Sequence, residues 1–248
     1  MELAAVHDAL RDLAGAAVGA PVGVAVLAID AADIALLAPA ELALVATAGP
    51  VRRAEFATGR RALHGLLAEL RIDAPGGDHP IGRGADGRPL LPAGVRGSLA
   101  HADGLVVAVV VGSPAVLGVG VGVDLERAGA LPPEDAGSVV GPDDVTLGAD
   151  PVATLVVKEA AYKAWSATRP AVALAPGAAT AGRPSGFLDL QVCSVDRPAA
   201  GMTCVTVAVL LDPSTLLAAG VPAPVSAAVS VRVAEVGGRW LAVAVATC

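Results

Sequence analysis

Residues 156–165, VVKEAAYKAW, contain both lysines of this 248-residue chain, Lys158 and Lys163. The alanines and straight-chain residues of the stretch predict an α-helix. In a helix, Glu159 and Lys163 stand at positions i and i+4 on one face. A carboxylate beside an ammonium group can hold a divalent metal and an anionic oxygen together, although a solvent-facing ion pair explains the same spacing. The stretch therefore predicts a helix that could form one side of a site for a metal ion and an anion.

A pair of acidic residues lies upstream, in residues 118–126, GVGVGVDLE. In a strand, alternate side chains share a face, so Asp124 and Glu126 are expected to point the same way. Alternating acids commonly mark a solvent face. Here, however, glycines at alternate positions leave one flank of the strand nearly bare, so another backbone or a ligand can approach closely. Three carboxylates and a lysine are the groups that a metal-assisted phosphate reaction needs.

The same glycines resemble a dinucleotide-binding fingerprint only in part. The third glycine is misplaced, and two acids follow where that motif begins a helix, so a Rossmann site is not expected.

Composition indicates a folded protein with a core of small apolar side chains. Hydrophobic residues make up 54% of the chain and charged residues 17%, which excludes disorder over most of its length. Aromatic residues are only 2%, so the core must consist of Ala, Val and Leu. Three cysteines (Cys193, Cys204 and Cys248) form no metal-ligand spacing. Because no secretory leader is visible at the start, we expect a cytoplasmic protein.

The net charge of −7 argues against broad nucleic-acid binding. Many of the arginines nevertheless fall between positions 51 and 100, where they can hold a small polyanion. Residues 104–123 carry no charge and are long enough for a membrane span, but glycines and a Gly-Ser-Pro sequence interrupt them. Two buried strands around a turn fit this stretch better, so no membrane partner is expected.

Periodicity predicts strands and helices in both halves of the chain. A helix beginning at residues 49–50 has an apolar stripe with basic flanks and ends near residue 73. Residues 170–186 are rich in Ala, Pro and Gly and predict a long connection. The predicted strands are residues 22–29, a strand or strand pair at 98–111, and 187–195, 202–211, 225–236 and 240–247, the last two joined by a Gly-Gly turn.

Four sequence blocks, taken in order, resemble the 4'-phosphopantetheinyl transferase family in its longer, two-halved, monomeric form. The blocks cover a little under half of the chain. They are RRAEFATGR at residues 52–60, GRPLLP at 87–92 with GSLAH at 97–101, GVDLE at 122–126, and KEAAYKA at 158–164. The resemblance implies an α+β fold of two similar subdomains in a pseudo-twofold arrangement, residues 1–112 and 113–248, with the active cleft between them.

The resemblance also implies the roles of particular residues. Asp124, Glu126 and Glu159 are similar to the three Mg²⁺ ligands of the family, and Lys163 to the lysine that contacts the coenzyme A pyrophosphate. Four further positions match residues that hold the phosphates or the adenosine end of coenzyme A in the family; they are Arg53, Arg60, Arg88 and His101.

The implied reaction transfers 4'-phosphopantetheine from coenzyme A to a serine of an apo acyl- or peptidyl-carrier protein and releases 3',5'-bisphosphoadenosine. Such enzymes supply fatty-acid, polyketide or nonribosomal peptide biosynthesis. The residues agree with this chemistry, because a hard cation on carboxylates neutralises pyrophosphate charge. Glu159 is our candidate to accept the serine proton, and Lys163 to stabilise the leaving group.

The sequence also departs from the family pattern, because Ala100 and Ala102 flank His101 where family members carry small hydroxyl or thiol residues. A phosphate hydrogen bond is therefore expected to be missing. Two alternatives remain open on the sequence: a catalytically silent coenzyme A or nucleotide-binding module of the same fold, and an unrelated α/β domain.

Overall fold

The computed structural model describes residues 2–18, 22–72, 80–84, 87–112, 119–168, 190–197, 202–209 and 228–247. The predicted connection at residues 170–186 lies outside these ranges. The helices are α1 (Glu2–Val18), α2 (Pro39–Ala43), α3 (Pro50–Glu69) and α4 (Pro151–Ala167), with short 3-10 helices at Ala31–Leu36 and Pro133–Ser138. The strands are β1 (Val22–Ala28), β2 (Gly82–Arg83), β3 (Pro89–Leu90), β4 (Val95–Ala102), β5 (Leu105–Gly112), β6 (Val119–Arg127), β7 (Leu190–Asp196), β8 (Thr203–Val209), β9 (Ala228–Val236) and β10 (Arg239–Thr247).

The N-terminal half contains an antiparallel sheet of three strands in the order β1-β5-β4, and β2 pairs with β3 beside it. β4 and β5 form a hairpin, so the predicted strand or strand pair at residues 98–111 is a pair. The two turn residues, Asp103 and Gly104, have φ angles of 50° and 76°. Positive φ at both positions matches the twist of a two-residue hairpin turn.

The C-terminal half contains an antiparallel sheet of five strands in the order β6-β10-β9-β8-β7. Gly237 and Gly238, with φ of 57° and 72°, turn β9 into β10, as the sequence predicts. The two sheets meet where edge strands β4 and β6 lie side by side, and Val123 N donates a buried hydrogen bond of 3.1 Å to Ser98 Oγ.

The glycines of β6 bring α4 unusually close to the sheet. A Cβ added at Gly120 would lie 1.8 Å from Ala164 O, and one added at Gly122 would lie 2.0 Å from Ala160 O. The bare flank predicted from the sequence is therefore occupied by a helix backbone. This packing fixes the position of α4 against the strand that carries Asp124.

One hydrophobic core is shared by the two sheets. Val107 of β5, Val123 of β6 and Leu241 of β10 belong to the same buried cluster, which also contains Leu10 and Leu13 of α1. The other face of the three-stranded sheet packs against α3, and the other face of the five-stranded sheet packs against α4. The small and branched side chains of these clusters agree with the predicted core of Ala, Val and Leu.

The mixture of helices and antiparallel sheets agrees with the predicted α+β class. The pseudo-twofold relation and the boundary between residues 112 and 113 stay predictions. No helix within the described ranges is both long and apolar enough to cross a membrane.

Candidate functional site

Asp124 and Lys163 form the contact that joins β6 to α4 at the site. Lys163 Nζ donates to Asp124 Oδ1 at 2.7 Å and to Val123 O at 3.1 Å. Asp124 is 4% exposed, and its other oxygen, Oδ2, is buried with no hydrogen-bond partner among the described residues. A buried carboxylate oxygen without a donor is an incomplete arrangement that a bound cation would complete.

Three carboxylates lie within electrostatic range of one another here. Burial raises the pKa of Asp124 to about 6, Lys163 opposes this shift, and Glu159 and Glu126 add to it. Burial also raises the pKa of Glu126, again opposed by Lys163 and reinforced by Glu159. The structure therefore brings together the acids of one strand and the Glu159–Lys163 pair of one helix, as the sequence predicts.

These acids fit a hard divalent cation in their chemistry but do not form a finished coordination sphere. Carboxylate oxygens are the ligands that Mg²⁺ prefers. Across the described part of the chain, however, no group of three His, Cys, Asp or Glu side chains is close enough to hold a metal. The free Oδ2 of Asp124 is the observation that favours a cation, with Glu126 and Glu159 as the neighbouring donors.

A cleft of about 300 Å³ opens beside this acidic cluster, between α3 and α4. Gly97, Ser98 and Leu99 of β4 and Val121 of β6 contribute to its wall. Two carboxylates, Glu55 and Glu159, line it together with six basic side chains. The basic residues are Arg52, Arg60, Arg83, Arg88, His101 and Lys163.

Arg60 is a buried cation on the α3 wall, with 4% of its surface exposed. Its guanidinium lies 4.3 Å from the centre of the Phe56 ring, and Nη2 donates to Gly82 O at 3.1 Å. Burial lowers the pKa of Arg60 to about 10, and Glu41 partly offsets this. The side chain remains protonated at neutral pH and supplies positive charge to the cleft.

Arg88 connects the two walls of the cleft. It lies just before β3, and its Nη1 donates a hydrogen bond of 2.9 Å to Ser166 O near the end of α4. The contact ties the residue before β3 to the helix that carries Lys163.

His101 contacts Arg52 and Glu55 on α3. Arg52 Nη1 lies 2.5 Å from His101 Nε2, and His101 Nδ1 lies 3.7 Å from Glu55 Oε1. Because a guanidinium can only donate, Nε2 accepts and the ring is neutral in this arrangement. Burial lowers the pKa of His101; Glu55 opposes the shift, and Arg52 and Lys163 add to it.

Arg53 is the one predicted coenzyme A residue that does not line the cleft. Its Nε donates to Val45 O at 3.1 Å, and its Nη2 donates to Ala46 O. These carbonyls follow α2, so the contacts hold the α2–α3 connection in place. Its neighbour Arg52 lines the cleft instead, and the sequence does not distinguish the two because both lie on the polar flank of α3.

Lys158 is buried and points away from the cleft. Its Nζ donates to Asp144 Oδ2 at 2.6 Å and to Val139 O at 2.8 Å, and its side chain is 0% exposed. Asp144 in turn accepts from Val192 N at 2.7 Å through Oδ1. The first lysine of the KEAAYK block thus has a structural role, anchoring residues 139–144 and β7 to α4.

Reasoning from the sequence assigned no site role to several further polar residues of the cleft. Arg52 and Arg83 add charge to the wall, and Tyr162 and Ser166 lie on α4 beside Lys163. The helical spacing from Glu159 identifies Tyr162, Lys163 and Ser166 as one face. That periodicity was the signal available for the two α4 residues.

Comparison with known proteins supports the resemblance to the 4'-phosphopantetheinyl transferase family. Residues 40–111 match the family model described as the 4'-phosphopantetheinyl transferase N-terminal domain. The 4'-phosphopantetheinyl transferase Npt of Nocardia iowensis is 36% identical over 137 residues, covering 51% of this chain and 58% of the relative. The 4'-phosphopantetheinyl transferase Svp of Streptomyces mobaraensis is 40% identical over 105 residues, covering 42% of this chain and 40% of the relative.

The aligned region spans about half the length of these curated relatives. The α3 wall of the cleft lies inside the residues that match the family model. The resemblance inferred from the four sequence blocks is therefore confirmed: residues 40–111 match the family's N-terminal domain, and about half of the chain is similar to two relatives named as 4'-phosphopantetheinyl transferases.

Proposed function

We propose that this protein is a Mg²⁺-dependent 4'-phosphopantetheinyl transferase. It transfers the phosphopantetheine group of coenzyme A to a serine of an apo acyl- or peptidyl-carrier protein and releases 3',5'-bisphosphoadenosine. The observation that carries the proposal is the cleft between α3 and α4, where five basic side chains of the N-terminal half line the same space as the Glu159–Lys163 pair. The two relatives, both named as transferases of this kind, support it.

The basic wall would bind the anionic substrate. Coenzyme A carries a pyrophosphate and a phosphate monoester, and charge-assisted hydrogen bonds from guanidinium groups suit both. Arg60 and Arg88 are held in place by the carbonyls of Gly82 and Ser166, so their orientation costs little on binding. His101 and Arg52 add a third contact region at the α3 side.

The acidic cluster would hold the metal and receive the proton. Asp124, Glu126 and Glu159 are the residues that would bind Mg²⁺, which neutralises charge on the pyrophosphate when it is bound. Glu159 lines the cleft and is the candidate to accept the proton of the attacking serine. Lys163 would stabilise the charge that develops on the departing bisphosphate.

A silent coenzyme A-binding module is the second candidate. The observation that favours it is the Asp124–Lys163 hydrogen bond, which occupies one carboxylate oxygen and the lysine at once. In this arrangement the described acids do not converge as a metal site. Ala100 and Ala102 beside His101 also supply no hydroxyl to a phosphate.

One experiment separates the two candidates. The protein is mixed with coenzyme A, Mg²⁺ and an apo carrier, and the carrier is examined by intact-mass measurement. A mass increase of one phosphopantetheine group, abolished in Glu159→Ala and Asp124→Ala, supports the transferase. Glu134→Ala, an exposed acid in the 3-10 helix Pro133–Ser138, is the control and should transfer normally. Binding of coenzyme A without transfer to any carrier indicates the silent module, and normal transfer by both variants excludes the proposed metal ligands.

Several finer properties are part of the same proposal. We expect a cytoplasmic monomer with two subdomains that meet near residue 112. We also expect an acidic carrier to dock against the arginine-rich N-terminal half, because opposite charge steers association.

A further inference from the structure

Glu41 is a buried acid on the far side of Arg60 from the cleft. It lies in α2, is 1% exposed, and uses both carboxylate oxygens. Oε1 accepts from Ile81 N at 2.9 Å and lies 2.9 Å from His64 Nε2, while Oε2 accepts from Ala38 N at 3.2 Å. Glu41 does not line the cleft; it lines a separate cavity of about 880 Å³ that Arg60 also borders.

Glu41 compensates the charge of Arg60. Glu41 Oε1 lies 3.8 Å from Arg60 Nε, and both side chains are almost completely buried. Glu41 raises the pKa of Arg60, whereas two other cations of the same cleft, Arg83 and Arg52, lower it. A buried cation among other cations is stable only when a carboxylate is held near it, since removal of one partner leaves an uncompensated charge.

Glu41 also fixes the strand that Arg60 contacts. The hydrogen bond from Ile81 N holds the residue just before β2, whose first residue provides the carbonyl for Arg60 Nη2. The second residue of β2 is Arg83, which lines the cleft. One carboxylate therefore supports two basic residues of the wall without facing the ligand.

We propose that Glu41 is a positioning residue for the anion-binding wall of the cleft, acting through Arg60 and β2. The proposal rests on the proposed function, because it takes the bound anion to be the pyrophosphate part of coenzyme A. Glu41 sets how tightly that anion is held and has no contact with the acidic cluster where the chemistry occurs. Its loss should raise the KM for coenzyme A and leave kcat nearly unchanged.

The test compares Glu41→Gln with Asp33→Asn. Asp33 is a similarly buried acid in the 3-10 helix Ala31–Leu36, which precedes α2. It accepts from Thr58 Oγ1 at 2.7 Å and lies 3.1 Å from Arg61 Nε, and it does not contact Arg60. We expect Glu41→Gln to weaken binding of coenzyme A and of inorganic pyrophosphate about tenfold, because the buried Arg60 guanidinium loses the opposite charge that lies 3.8 Å from its Nε. Asp33→Asn should change affinity less than about twofold.

A double-mutant cycle shows whether the effect passes through Arg60. If it does, Glu41→Gln/Arg60→Gln loses less pyrophosphate affinity than the two single losses combined, and the remaining loss is the part that passes through β2. Additive losses would overturn the proposal, because Glu41 would then act independently of Arg60. If Glu41→Gln does not fold, Glu41→Asp keeps the charge but moves it away from Arg60, and an affinity equal to the parent protein would overturn the proposal.

The outcomes also separate this inference from the proposed function. Normal transfer by the parent protein with unchanged affinity in Glu41→Gln overturns the role of Glu41 and leaves the transferase standing. Pyrophosphate binding that depends on Glu41, in a protein that does not transfer phosphopantetheine, supports the role of Glu41 and removes the transferase. A parent protein that binds neither pyrophosphate nor coenzyme A overturns both.

Discussion

Lys163 Nζ lies 2.7 Å from Asp124 Oδ1, so the amine proposed to contact the substrate and an acid proposed to hold the metal are bonded to each other. The contact is made across the closest approach of α4 to β6. Lys163 lines the cleft whereas the buried Asp124 does not, so the acid holds the lysine in the cleft wall from the inside. The opposite charges of Lys163 and Asp124 attract each other and fix the position of the lysine.

The first prediction concerns the pH dependence of stability in the metal-free protein. Asp124 has a pKa of about 6 when folded, above its ordinary 3.8, because of burial. The folded state therefore binds the proton more tightly, and the stability this contributes is present below pH 4 and lost as pH rises through 6. Relative to Asp124→Asn, the parent protein should lose about 3 kcal/mol of unfolding free energy between pH 4 and pH 8, at about 1.4 kcal/mol per pKa unit.

Urea unfolding with a chelator present, at several pH values, measures this difference. Asp12→Asn, an exposed acid on α1, is the control and should follow the parent protein throughout. If the difference in unfolding free energy between Asp124→Asn and the parent protein is constant over the whole pH range, the pKa of Asp124 is not raised in the folded state.

The second prediction distinguishes two adjacent arginines. Arg52 lines the cleft, whereas the Arg53 guanidinium donates to Val45 O and Ala46 O. We expect Arg52→Gln to weaken coenzyme A binding about tenfold, since a hydrogen bond to a charged group contributes about 1.5–3 kcal/mol. Arg53→Gln should instead lower stability by about 1–2 kcal/mol with nearly normal affinity.

Isothermal titration with coenzyme A and urea unfolding on both variants make this comparison. A loss of affinity confined to Arg53→Gln would restore the role that the family resemblance implies for Arg53. It would also show that the loop after α2 rearranges when the ligand binds.

The third prediction concerns the two lysines of α4. Lys158 and Asp144 form a buried pair, so Lys158→Met should destabilise the protein by about 3–5 kcal/mol, as expected when one partner of such a pair is removed. Lys163→Met is the matched comparison: Lys163 is 28% exposed, and burial raises the pKa of its partner Asp124 to about 6, so Asp124 can take up a proton when the lysine is lost and the variant should cost less stability. Equal unfolding free energies for the two variants would contradict a structural role for Lys158.

The fourth prediction tests the packing of α4 on β6. Gly122→Ala places a Cβ 2.0 Å from Ala160 O, so the helix must move and carry Glu159 and Lys163 with it. We expect a loss of several kcal/mol in stability, similar to overpacked cores, and at least a hundredfold loss of transfer. Gly137→Ala, where nothing lies within 4 Å of the added Cβ, should be nearly neutral.

Much of the site could be predicted because it depends on local periodicity. The spacing of Glu159 and Lys163 in a helix, and of Asp124 and Glu126 in a strand, puts each pair on one face. The alternating glycines before Asp124 indicated a close approach by another element. These patterns placed each pair on one face, whereas the expectation that the two pairs meet came from the family resemblance.

The remaining features depend on tertiary contacts that no local pattern encodes. Arg52 and Arg53 are equivalent on the polar flank of α3, and only the carbonyls after α2 decide which one turns away from the cleft. Lys158 and Lys163 look alike in sequence, but an irregular segment supplies Asp144 to one of them. The support that Glu41 gives to Arg60 joins positions 19 residues apart across a loop, at no helical or strand spacing.

The core shared by β5, β6, β10 and α1 has a consequence for how such a protein can change during evolution. Neither half closes its own apolar surface, since each sheet presents one face to the other. Recombination that replaced one half with that of a distant homologue would mismatch side chains along the entire seam. The two halves are therefore expected to be inherited as a unit, with compensating changes in volume appearing in pairs on opposite sides of the seam.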